Sequence, residues 1–199
     1  IVVSPNYDPL LAKVIVKGKT REQAREHLKN YLEKVVLQGV ANNLEFLVAI
    51  LGSQEFIDAS LTTGFLNNFS FTSHAVEVLD PGLQSLIQDY PGRVGYWNVG
   101  VPPSGPIDDL NFLIATRLVG NANSDAGIEI LLDGITLRFY CASVISITGA
   151  DCDITLNEKE TRKCFEAIAV NPETIVKIKL KGKLGSRAYL AIKGGIQTQ

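Results

Sequence analysis

Apolar residues recur at helical intervals along the first third of the chain and alternate with polar ones along the rest. Within 20–36, Ala24, Leu28, Tyr31, Leu32 and Val35 fall four and three residues apart, on one face of a helix. Thr20 followed by Gln23 makes a capping-box pair at its start, and Gly39 stands where a helix C-terminus favours glycine. A second helical run, 44–51, begins after Asn42-Asn43 and stops at Gly52, and a short third helix follows Ser53. Upstream, 12–16 is apolar and β-branched, which predicts a strand.

After Asn67 the period changes. Short β-rich runs occupy 76–79, 128–132, 136–140, 144–148, 153–156, 165–170, 176–180 and 187–192. Turn residues separate many of them by roughly 8–12 positions, the spacing of a barrel or sandwich. One helix, 107–119, interrupts the series, with Pro106 expected at its first position and Gly120 closing it. Lys177, Lys179, Lys181 and Lys183 alternate, which predicts a solvated strand face that discourages edge pairing. Gly182-Lys183-Leu184-Gly185-Ser186 has its glycine and lysine in the wrong order for a phosphate loop and is expected to be a hairpin turn. The fold class is therefore α+β, a small helical part followed by a mostly β part, with the polar stretch around 68–75 as the linker.

Composition narrows the function classes. The chain has 199 residues, 46% of them hydrophobic, enough for one large or two small domains. A formal net charge of −2 argues against nucleic acid or an anionic membrane as partner, since both require a basic face. Apolar runs fall far short of the roughly 18 residues that span a bilayer, and no secretion signal is present, so the chain reads as soluble. Cys141, Cys152 and Cys164 are an odd set without a C-x-x-C pair, which indicates neither a disulfide framework nor a metal site and fits a reducing, cytoplasmic compartment. The chain starts at Ile1 and contains no Met, which suggests a piece of something longer.

The densest chemistry lies in 88–109, where glycines and prolines surround Asp89, Arg93, Tyr96, Trp97, Ser104 and Asp108 just before a predicted helix. Backbone N–H donors at a helix start, with carboxylates and an arginine beside them, suit a small polar ligand. The same residues also suit scaffolding: Asp108 in the first turn of a helix, and Arg93 clamped to Asp89 across the Pro91-Gly92 turn. His27 and His74 lack a neighbouring nucleophile or orienting group and read as surface residues.

Two family resemblances rest on these residues. Leu10-Leu11-Ala12-Lys13-Val14-Ile15 preceded by Tyr7-Asp8-Pro9, Gly39-Val40-Ala41-Asn42-Asn43, Phe56-Ile57 and Thr63-Gly64-Phe65-Leu66 resemble the end of a biotin carboxylase, a small α/β C-terminal lobe, over 1–67. Gly92-Arg93-Val94-Gly95, Ser104-Gly105-Pro106-Ile107-Asp108, Leu118-Val119-Gly120-Asn121, Gly134-Ile135-Thr136-Leu137 and Ala188-Tyr189-Leu190-Ala191-Ile192-Lys193-Gly194-Gly195 are similar to the family that unites KipA, the second subunit of allophanate hydrolase and a component of 5-oxoprolinase. That likeness implies a cyclophilin-like barrel over 76–199, incomplete at its C-terminus.

The order of the two pieces resembles the urea carboxylases, biotin-dependent ligases. In that family ATP, with Mg, and bicarbonate make carboxybiotin, and a carboxyltransferase domain hands the carboxyl group to urea to give allophanate. The resemblance implies biotin on a carrier domain outside this chain, ATP and Mg at residues outside it, and a homodimer surface on the first part. It assigns no catalytic residue. Asp89, Arg93, Ser104 and Asp108 are substrate-binding candidates by residue type and loop placement alone. A related carboxylase of a guanidine- or amide-like substrate, and a KipA-like binding module or 5-oxoprolinase component, stand as alternatives.

Overall fold

The structure, a computed structural model, describes residues 10–37, 40, 42–182 and 184–197. The chain forms two compact units that divide between Ser73 and His74.

In the first unit, helix α1 (Arg21–Leu32) starts where Thr20 accepts a hydrogen bond from the Gln23 N–H, while the Gln23 side chain accepts one from the Lys19 N–H. The capping box thus reaches one residue further back than the ordinary pattern. The helix ends four residues short of the predicted 36, and the Gly39 expected to close it lies outside the described residues. Helices α2 (Leu44–Gly52) and α3 (Gln54–Ile57) follow as expected, and the Ser53 hydroxyl caps α3 by accepting from the Phe56 N–H. Arg25 of α1 is buried and donates to the Leu51 carbonyl at 2.7 Å, pairing also with Glu22 and Glu26. Arg21 donates to the carbonyls of Phe56 and Ile57 and sits 5.0 Å from the Phe56 ring centre.

The strand expected at 12–16 is not formed: no ladder includes these residues, and Ile15 is 81% exposed. A strand needs a neighbour to take its backbone N–H and C=O groups, and no other strand lies among the described residues of this unit. A short helix α4 (Phe65–Asn68) escapes the sequence pattern. Phe69 and Phe71, in the polar stretch beyond it, both set their rings edge-on to Phe46.

The second unit is three layers deep. Ten strands make two five-stranded antiparallel sheets: β1 (Val76–Asp80), β4 (Gly134–Phe139), β9 (Thr174–Leu180), β6 (Cys152–Leu156) and β7 (Glu160–Arg162) in one, in the order 1-4-9-6-7. The other orders 2-3-10-5-8, from β2 (Gln84–Gln88), β3 (Gly127–Leu131), β10 (Arg187–Ile192), β5 (Ser143–Gly149) and β8 (Ala167–Val170). Both sheets keep free edges, so the expected barrel is corrected to a sandwich without closure among the described residues. Alternate positions of both sheets, among them Leu137, Phe139, Ile154, Val176 and Ile178 facing Ile130, Ile145, Ile147 and Leu190, form one buried apolar cluster.

The other face of the second sheet carries helix α5 (Asp109–Leu118), whose Phe112 and Ala115, with Val119, pack on Tyr189 and Ala191. Phe112 and Tyr189 meet edge to face at 6.2 Å. The lysines of β9 do face solvent at 177 and 179, but β9 is the middle strand of its sheet, so they guard no edge. The turn after β9 joins strands of different sheets and is a crossover, not a hairpin.

Candidate functional site

The 88–109 segment is laced onto itself and then fastened to the second sheet. Gly92, at φ +82, lets the chain pass against Pro103 so closely that a Cβ there would stand 2.5 Å from the Pro103 carbonyl oxygen. That carbonyl accepts the Arg93 N–H. Gly105, also at positive φ, would place a Cβ 3.3 Å from the Pro91 oxygen. The two limbs of the loop therefore cross at glycines that no other residue can replace without moving backbone. Much of the glycine density that marks the segment is structural.

Where the loop runs into α5, a carboxylate outside the predicted set holds it. Glu129 of β3 is 5% exposed, and its Oε2 accepts the Ile107 N–H at 2.9 Å. Its Oε1 lies 3.5 Å from Arg187 Nε of the neighbouring strand β10. Directly opposite Glu129 in the ladder is Tyr189, fully buried, whose hydroxyl accepts the Asp108 N–H at 2.9 Å. Two backbone donors at the helix entrance are thus taken by side chains of one cross-strand pair.

Burial pushes the Tyr189 phenol up to about 12; the Asp108 N–H opposes this and Glu129 adds to it. Above the ordinary phenol range near ~10, the unfolded chain releases this proton while the folded chain keeps it. Tyr189 therefore contributes stability that is complete below pH ~10 and fades as pH rises toward ~12. Denaturant midpoints measured across that window should fall more steeply for the native chain than for Tyr189→Phe; parallel curves would show that the phenol does not titrate with folding.

The four predicted residues play different parts. Asp108 is the N-cap of α5 itself: Oδ1 accepts the Asn111 N–H at 3.0 Å, and Oδ2 accepts from Asn111 Nδ2 at 2.6 Å. The helix begins two residues later than expected, so Pro106 precedes the cap and does not open the first turn. With both carboxylate oxygens engaged, Asp108→Ala should cost about 1 kcal/mol of unfolding free energy, and Asp108→Asn only a few tenths, because asparagine also caps. Chemical denaturation of the two variants checks this.

Asp89, Arg93 and Ser104 are all exposed. No ion pair joins Arg93 to Asp89 or to any other carboxylate among the described residues, so the expected clamp is replaced by the backbone bond to Pro103. Ser104 adopts φ +63, and the turn it makes brings Gly105 beside Pro91. Tyr96 and Trp97, expected to flank a ligand, are exposed at 55% and 70%. The structure thus brings Arg93 and Ser104 to neighbouring limbs of one exposed loop and sets Asp108 apart as a cap. His27 and His74 are both exposed. A separate apolar groove of about 900 Å³ in the first unit, lined by Leu28, Leu32, Leu47 and Phe56 among others, contains none of the candidate residues.

A three-layered α/β/β unit with a glycine-crossed loop pinned at a helix start has counterparts among known proteins. Residues 99–199 match the carboxyltransferase domain family, subdomains A and B, and the chain belongs to it. Residues 1–68 match the biotin carboxylase C-terminal domain. The chain is 43% identical to the urea amidolyase of Saccharomyces cerevisiae over 196 residues, which is 98% of this chain and 10% of the yeast protein. It is 41% identical to a putative urea carboxylase of Emericella nidulans, over 98% of this chain and 16% of that protein. The crystal structure of Kluyveromyces lactis urea carboxylase superposes with a TM-score of 0.81 at 41% identity, covering 99% of this chain and 17% of that one. The chain therefore spans between a tenth and a fifth of the length of these relatives.

Proposed function

We propose that this chain is part of an ATP- and biotin-dependent urea carboxylase, with 1–67 ending its biotin carboxylase domain, 68–75 linking, and 76–199 beginning its carboxyltransferase domain. The observation that carries this reading is that one alignment to the yeast urea amidolyase runs through both units at 43% identity over 98% of the chain. A binding module of the KipA or 5-oxoprolinase kind would have no use for the biotin carboxylase piece at its start. The first unit then serves as scaffold and as the surface of a cytoplasmic homodimer.

Urea is small, planar and a poor nucleophile, so a transferase must hold it by hydrogen bonds and take a proton as its nitrogen attacks. The residues best placed are those with no structural duty. The Arg93 guanidinium is free to steady a carboxyl group, which fits the chemistry of a biotin that supplies an activated carboxyl. Asp89 accepts from urea N–H groups, and the Ser104 hydroxyl with its neighbouring loop amides holds the urea oxygen. Asp108 acts at one remove, by fixing the start of α5 beside them. ATP and Mg belong to residues outside this chain.

If the reading holds, a streptavidin blot detects biotin on the full gene product, and added avidin abolishes urea-dependent ATP cleavage. An unbiotinylated gene product, or turnover indifferent to avidin, overturns it.

A further inference from the structure

Cys152 and Cys164 are twelve positions apart in the chain and carry no recognisable spacing, yet the fold brings both to one apolar cluster. The β6–β7 ladder pairs Leu156 with Glu160, Thr155 with Thr161 and Ile154 with Arg162. The ladder stops there: Cys152 lies two residues before Ile154, as the first residue of β6, and Cys164 lies in the turn two residues past Arg162. Both cysteines thus stand just past the last ladder pair on the same side of the pleat, and a disulfide between them needs Cα atoms within about 4.4–6.8 Å. Both side chains turn to the same side: Cys152 is buried in the sandwich core, and Cys164 packs on that core from its rim.

Cys152 and Cys164 are each free of any disulfide, and the Cys152 S–H donates to the Ala150 carbonyl oxygen at 3.1 Å. The neighbouring Cys152 holds the Cys164 thiol down at about 7, against its partial burial; Lys181 pulls the same way and Asp151 the other. The half-buried partner is thus the one that reaches the thiolate, which is the reactive form. Cys141, in the turn after β4, has no such partner among the described residues.

We infer that Cys152 and Cys164 form a thiol pair that a hydroperoxide converts to a disulfide across β6 and β7. The Cys164 thiolate attacks one oxygen of hydrogen peroxide and the O–O bond breaks, that oxygen being kept as a sulfenic acid while the other leaves as water with a proton drawn from solvent. The Cys152 sulfur then attacks the sulfenic sulfur, its own proton leaving with the hydroxyl as a second water. Two thiols lose two electrons and one peroxide gains them. The bridge fastens β7, a three-residue edge strand, to the body of its sheet. This inference is independent of the urea reading.

The test is to treat the folded chain with hydrogen peroxide and then alkylate and digest it. The expected product has lost the mass of two hydrogens, carries the Cys152 and Cys164 peptides in one reducible cross-link, and leaves Cys141 alkylated. Cys164→Ser, at the less buried position, should lose the cross-link while keeping its thermal midpoint within a few degrees. A folded chain whose two cysteines stay alkylatable, a bridge to Cys141, or Cys164 driven to sulfinic acid beside a reduced Cys152 would each overturn the inference.

Discussion

Glu129→Ala should lower unfolding free energy by about 2–4 kcal/mol and the thermal midpoint by roughly 10 °C. The carboxylate is the single group that accepts the Ile107 N–H from one side and balances Arg187 from the other. Removing it leaves a part-buried amide without its acceptor and a guanidinium without its counter-charge. Arg187 is 27% exposed at its side chain, so water recovers part of the loss, which stays below that of a fully buried pair. Glu129→Gln retains an oxygen for Ile107 and should cost less than half as much. The loop should loosen in step: trypsin should cut after the exposed Arg93 several-fold faster in Glu129→Ala than in the native chain. Equal stability and equal cleavage would show that the loop is held by its glycine crossing alone.

Arg93→Ala should do the opposite. In the full gene product it should reduce urea-dependent turnover by about ten- to hundredfold, the value of one lost hydrogen bond to a charged group. Stability should be unchanged within about 0.5 kcal/mol, because the side chain is exposed and forms no ion pair among the described residues. Arg93→Lys should recover part of the rate, since it keeps the charge and loses the two-pronged geometry. Turnover that ignores both changes would remove Arg93 from the site, and a matching loss of stability would make its role structural. Contrasted with Glu129, the pair separates a group that builds the loop from one that the loop presents.

Much of this architecture is readable from local pattern. Strands β3 to β6 and β8 to β10 alternate or run apolar, and α5 is bracketed by Asp108 and Gly120, so each announces itself. Strand β2 does not, because Leu86 and Ile87 lie adjacent in an edge strand and both stay exposed. Strand β7, Glu-Thr-Arg, has no apolar residue to read.

Pairing is non-local, so nothing near β9 indicates that β4 and β6 flank it, and its lysines read as edge guards. The segment 12–16 has the composition of a strand, and composition cannot supply a neighbour.

The site divides in the same way. The glycines and prolines of 88–109 advertise an unusual loop. Glu129, one carboxylate in the run Gly-Ile-Glu-Ile-Leu, has the look of a solvated strand position. One signal is present: β10 reads Arg-Ala-Tyr-Leu-Ala-Ile, apolar on both faces, as a strand covered on both sides does. That implies a covering helix over Tyr189, and whatever lies beside Tyr189 is covered too.

The decisive assay supplies the full gene product with ATP, labelled bicarbonate and, in turn, urea, guanidine or acetamide, and follows label into an acid-labile carboxylated product. Transfer to urea should stand well above transfer to the other two, and should be lost in Arg93→Ala. Preferred transfer to guanidine or acetamide, or no transfer to any of them by a biotinylated enzyme, would contradict a urea carboxylase.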